Sequence, residues 1–136
     1  EDSRLAYQIR EAINRDLAHG YDVIVLAMSY GAVFSGLALF DSPEHVGILT
    51  LGSPVDLSNL KIPYRGVCVG ADPVCALQGP SLVSFGVKGP PTKGARGFFV
   101  HHPMYYLHPS WGQGSVMEAL ASLLDEMGCV VRNMRV

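Results

Sequence analysis

Val23-Ile24-Val25-Leu26-Ala27-Met28-Ser29-Tyr30-Gly31-Ala32 is the stretch on which the reading of this chain turns. Val23 to Met28 is a continuous apolar run, too short for a helix and without polar alternation, as expected for a strand buried on both faces in a parallel sheet. From Tyr30 to Phe40, small residues (Gly31, Ala32, Ser35, Gly36, Ala38) interleave with Val33, Phe34, Leu37 and Leu39. That mixture suits a helix lying very close to a sheet, and Asp41-Ser42-Pro43 ends it. A strand that turns tightly into such a helix stands the Ser29 hydroxyl at the rim of the sheet, just ahead of a helix N-terminus. Bulky side chains two positions before or after the serine would strike the neighbouring strand or helix, so Ala27 and Gly31 are the sizes expected there. The plainer reading of the same residues is an N-cap serine starting a helix.

Working outward, Leu5, Ile9, Ile13 and Leu17 recur every fourth residue between Ser3 as N-cap and Gly20 as stop, which predicts an amphipathic helix ahead of the strand. Val46 to Leu51 reads as a second strand running into Gly52-Ser53-Pro54, and Arg65 to Ala71 as a third entering Asp72-Pro73. Between Gly79 and Gly97 the chain is rich in Gly and Pro and predicts a long excursion without regular structure. Gly97 to Val100 follows as a short fourth strand, then His101-His102 and Tyr105-Tyr106. Ser115 to Glu118 has capping-box spacing and opens a helix through Leu120, Leu123, Leu124 and Met127 that Gly128 closes. The tail from Cys129 to Val136 reads as a final short strand. Helices alternating with buried strands predict an α/β fold, a mostly parallel sheet flanked by helices, with residues 1–136 as one domain. Glu1 in place of an initiator methionine adds the expectation of a trimmed piece, the C-terminal part of a longer chain.

Composition narrows the function classes. The 136 residues are 49% hydrophobic and 16% charged with a formal net charge of −2. That charged fraction lies well below the roughly 25% of an average domain, which disfavours disorder and electrostatic nucleic-acid binding. The longest apolar run is far short of the ~20 residues of a membrane-spanning helix. Cys68, Cys75 and Cys129 are an odd number without a Cys-x-x-Cys pair, an argument against a zinc site and a disulfide framework and for a reducing compartment. Lys61, Arg65, Lys88, Lys93 and Arg96 form a basic middle that reads first as solvated loop and second as an attractor of anions.

The stretch around Ser29 resembles the nucleophile elbow of the α/β-hydrolase superfamily, most closely that of lipases and cutinase-like esterases, with Ala27 in place of the commoner first glycine. Leu49 to Pro54 is similar to the strand and Gly-Ser-Pro turn that follow the elbow in class 3 lipases. Val67 to Val74 looks like their next strand, whose terminal Asp-Pro-Val carries the acid. His102-Pro103-Met104-Tyr105-Tyr106 resembles the motif that places the histidine. The resemblance covers roughly residues 4 to 128, with Ser, Asp and His in family order. It implies a serine hydrolase, an esterase or lipase acting on a small-molecule or lipid ester without metal or organic cofactor.

In that reading Ser29 attacks, His102 takes the proton, Asp72 orients the imidazole and the Tyr30 backbone N–H receives the oxyanion. His101 and then His108 are the alternatives for the base, and Asp56 for the acid. The alternation of a continuing strand would point His101 and His102 to opposite sides, so only one faces Ser29. His19 reads as a helix C-terminal cation and His45 as a loop residue. Tyr105, Tyr106 and Trp111 stay open between lining an acyl pocket and ordinary packing. A complete hydrolase carries several strands before the elbow, and a loop there supplies a second oxyanion N–H. This chain has one helix in that place, which leaves three explanations: a fragment whose upstream segment completes the sheet, a minimal variant with a smaller sheet, or a module completed by another chain. The rival from a different class is a non-catalytic module that keeps the scaffold for a structural or partner-binding role.

Overall fold

The apolar run forms β1 (Val23–Met28), and β2 (Val46–Leu51) lies parallel to it in unbroken register, Val23 opposite Val46 through Met28 opposite Leu51. β3 (Tyr64–Val69) and β4 (Phe85–Val87) extend the sheet, again parallel, in the order β1-β2-β3-β4. This computed structural model describes residues 2–69, 72–78, 85–87, 101, 103–109 and 112–129. The fold is α/β. Because all four strands run the same way, their C-terminal ends share one edge, where open α/β sheets assemble sites.

Helices α1 (Asp2–Ala18) and α2 (Gly31–Ala38) pack against each other on one face of the sheet, α3 is a short helix (Pro103–Leu107), and α4 (Gln113–Glu126) covers the other face. Period-two alternation divides β2 between two cores. Val46 and Ile48 join Ile13, Ala27, Ala32 and Leu39 under α1 and α2. Leu49 and Leu51 join Val67, Val116, Ala119 and Leu123 under α4. β2 is therefore buried at all six positions. Each fully buried Leu or Ile there stabilises the layers by roughly 1.5–3 kcal/mol.

Small residues on α2 do what their size predicts: Ala32, Ser35 and Ala38 are buried, and a Cβ on Gly36 would stand 2.9 Å from Leu57 Cδ2. In α1, Ile13 is buried but Leu5 is exposed, and Ala6 takes the buried place in the first turn. Ala6 and Ala38 line one groove between α1 and α2, an approach that a leucine would hold apart. Arg10 ties the two helices by reaching Asp41 at 2.6 and 3.1 Å and the Ala38 carbonyl at 3.1 Å. The Arg10 hydrogen bond holds the Asp41 carboxyl below its ordinary range.

Three expectations change. The excursion expected between Gly79 and Gly97 contains β4, a strand of three residues that exists through its pairing with β3. α4 begins at Gln113 after Gly112, with no side-chain cap, so Ser115 lies inside the helix. Backbone bonds start it, Gln113 N–H to the His108 carbonyl and Val116 N–H to that of Gly112. Its end is as predicted: Gly128 has φ +75° and Cys129 N–H reaches the Leu124 carbonyl. Thirdly, Cys68 and Cys75 form a disulfide with Cα atoms 6.2 Å apart, leaving Cys129 as the free thiol. That bond runs against both the absent framework and the reducing compartment expected from the cysteine count.

Arg65 is occupied structurally, bonded to Glu126 at 3.0 Å and Ser122 Oγ at 3.1 Å, so it pins α4 to β3 and leaves the basic middle. The strand expected at Gly97–Val100, the basic residues Lys88, Lys93 and Arg96, and the tail after Cys129 lie outside the described residues. Among the described residues no helix is long and apolar enough to cross a membrane.

Candidate active site

Ser29 follows β1 directly, and its backbone adopts φ +55°, a left-handed conformation that costs a non-glycine residue about 1 kcal/mol or more. Two bonds hold it there. Ser29 N–H continues the sheet ladder to the Leu51 carbonyl at 2.9 Å, and the Ser29 carbonyl accepts the Ala32 N–H of α2 at 3.1 Å. The turn thus belongs to the strand on one side and the helix on the other. Ala27 is buried beneath it, as the size argument requires. At Gly31 an added Cβ meets nothing within 4 Å among the described residues, so a methyl group alone would be accommodated there.

The Ser29 hydroxyl lies 2.8 Å from His101 Nε2, and His101 Nδ1 lies 2.8 Å from Asp72 Oδ2. Read with the donors donating, Ser29 O–H gives to Nε2 and Nδ1–H gives to the carboxylate. Ser29 follows β1, Asp72 follows β3, and His101 spans the gap above the end of β2. The Asp72 side chain is fully shielded, the imidazole largely so. A shielded carboxylate needs several donors, and Asp72 has them. Val74 N–H bonds Oδ1 at 2.8 Å; Tyr106 O–H bonds Oδ2 at 2.5 Å beside His101.

Of the residues singled out in the sequence, Ser29 and Asp72 are brought together, and the imidazole between them is His101. Motif spacing put His102 first; His102 lies outside the described residues, and both imidazole bonds come from its neighbour. The strand assumed to run through the pair is instead a 3₁₀ position at His101 followed by α3. His108 follows α3 and gives its carbonyl to Gln113. Asp56 closes a local turn through the Ser58 N–H at 2.9 Å. Tyr30 is the N-cap of α2, so its N–H stands at the positive end of that helix. His19 Nδ1 caps the Arg15 carbonyl at 2.7 Å, and His45 pairs with Asp22 at 3.1 Å. Tyr106 is wholly buried, with its ring in the core and its hydroxyl on Asp72, while the Tyr105 side chain and Trp111 lie outside the described residues.

Two features were missed. Gly52 follows β2 with φ +60°, and a Cβ there would stand 2.9 Å from His101 Cε1 and 3.0 Å from both His101 Nδ1 and Asp72 Oδ2. The Gly-Ser-Pro turn marks the glycine, but not that it lies beneath the imidazole. The Cys68–Cys75 disulfide closes a loop around Asp72, joining β3 to the 3₁₀ turn Cys75–Gln78. Gln78 then reaches across to the Ser53 carbonyl at 2.6 Å, tying this loop to the turn after β2. Replacing both cysteines with serine is expected to lower stability by roughly 2–3 kcal/mol, from the entropy of a short closed loop. The urea midpoint of the variant against the oxidised protein checks this.

Among the described residues no three His, Cys, Asp or Glu side chains are placed to hold a metal ion. No protein-family model, curated protein or solved structure matches this chain. The functional reading rests on the geometry.

Proposed function

We propose that the protein is a serine hydrolase of α/β-hydrolase type that cleaves a carboxylic ester through an acyl-enzyme on Ser29. The observation that carries this is the unbroken Ser29–His101–Asp72 hydrogen-bonded chain at the C-terminal edge of a parallel sheet. A neutral hydroxyl is a poor nucleophile, and each partner supplies one requirement. His101 Nε2 takes the Ser29 proton as Oγ bonds to the ester carbonyl carbon. Asp72 holds the imidazole in the tautomer with Nε2 free and stabilises the imidazolium that forms. The tetrahedral oxyanion takes the Tyr30 N–H at the head of α2. His101 then returns the proton to the departing alcohol, and water repeats the sequence to release the acid.

An apolar acyl group is favoured by exposed apolar side chains close in the chain to the three residues. Tyr30, Leu77 and Leu107 are exposed, and each is carried by a segment that also carries Ser29, Asp72 or His101. Among the described residues β1 forms one end of the strand order, and Leu26 at its middle is 61% exposed. Long apolar edge strands invite pairing. A further strand there, from sequence ahead of α1 or from another chain, would cover Leu26 and bring the second oxyanion N–H.

Fluorophosphonate labelling tests the reading. Stoichiometric modification at Ser29, lost in Ser29→Ala, is the expected result. A folded protein that takes up no label would be a non-catalytic module on the same scaffold.

A further inference from the structure

The same short segment that presents the imidazole also presents a phenol to the acid. Tyr106 stands in α3, five residues after His101, with its ring wholly buried among Leu49, Leu51, Val67, Val116, Ala119 and Leu123. Its oxygen points at the acid. It donates to Asp72 Oδ2, the oxygen that also accepts His101, while Val74 N–H holds Oδ1. The Cys75 sulfur, oxidised in the disulfide and without a proton to give, packs 3.6 Å from the phenol oxygen.

We infer that Tyr106 is a positioning residue of the reaction, fixing the rotation of the Asp72 carboxylate so that His101 keeps Nε2 on Ser29. This rests on the hydrolase reading and extends it from three residues to four. Donors on both oxygens stop the carboxylate from turning about its Cβ–Cγ bond. A hydrogen bond to an ionised group in a shielded site is among the stronger ones a side chain makes. The core around the ring fixes the phenol, so the acid is positioned by the packing of α3 and α4 against the sheet.

Tyr106→Phe keeps the ring and removes only the hydroxyl. Wild type, Tyr106→Phe, Asp72→Asn and the double variant are compared by nitrophenyl-ester kinetics and by the rate of fluorophosphonate labelling. Tyr106→Phe should lower kcat and the labelling rate by roughly 10- to 100-fold, the worth of one hydrogen bond to a charged group, with KM unchanged. In the Asp72→Asn background the same change should cost almost nothing, because the carboxylate it positions is gone. A Tyr106→Phe protein as fast as wild type would overturn the proposal and leave the serine reading standing. So would a loss that persists undiminished on Asp72→Asn, which is the mark of a structural role. A wild-type protein that neither labels nor turns over ester removes the hydrolase reading itself, a different outcome from either.

Discussion

His101→Ala should abolish ester turnover and fluorophosphonate labelling alike, by roughly 10⁴- to 10⁶-fold, while His102→Ala keeps most of both. The expectation follows from where the bonds go: Nε2 of His101 reaches Ser29 and Nδ1 reaches Asp72, each at 2.8 Å. Without the imidazole the serine proton has no acceptor and the buried carboxylate nothing to orient. The loss should lie in kcat, since an alanine leaves the surface around Tyr30, Leu77 and Leu107 in place. Folding serves as the control, as the His101 side chain lies outside both apolar clusters and its removal leaves Val74 and Tyr106 on Asp72. The reverse pattern, with His102→Ala inactive and His101→Ala active, would dismantle the site as described.

The choice between two adjacent histidines marks where legibility ends. The bounds of β1 and β2 could be read to the residue because a largely apolar run bounded by turn residues is a local signal, but the burial of β1 on both faces could not, since Leu26 is exposed. Ser29 was legible for the same reason, since strand, tight turn and small-residue helix are contiguous in the chain. Asp72 was legible as the carboxylate that follows its strand. His101 was not distinguishable from His102, because which one faces Ser29 depends on whether the backbone continues as strand or bends into a 3₁₀ turn before α3. The disulfide escaped for a comparable reason. Parity of three cysteines says nothing about a chain that folds back within seven residues to bring Cys75 to Cys68. β4, three residues long, carries too little pattern to be seen apart from the β3 edge that holds it. The small-residue argument holds at Ala27, but size alone does not mark Gly52, just past the end of β2, as the glycine beneath the imidazole.

That glycine carries the second large effect. Gly52→Ala is expected to fold and yet lose activity on the order of 10²-fold, a methyl group acting on a hydrogen-bond chain to which it contributes no atom. The added Cβ would fall 2.9 Å from His101 Cε1 and 3.0 Å from Asp72 Oδ2, inside ordinary contact, so one of them must move. Asp72 cannot easily do so, being fully shielded and held by Val74 and Tyr106. The imidazole, 18% exposed, is the freer of the two and should swing away, lengthening its bond to Ser29. Backbone strain adds about 1 kcal/mol, because alanine is disfavoured at φ +60°. The stability cost should therefore be small beside the loss of rate, and a denaturant titration run alongside the kinetics separates them. Gly114→Ala, in α4 with no atom of the described residues within 4 Å of its Cβ, should change neither rate nor fold for the worse. An unaltered rate in Gly52→Ala would mean that the imidazole does not rest above the end of β2. The bridge from Asp72 to Ser29 would then have to be drawn along another path.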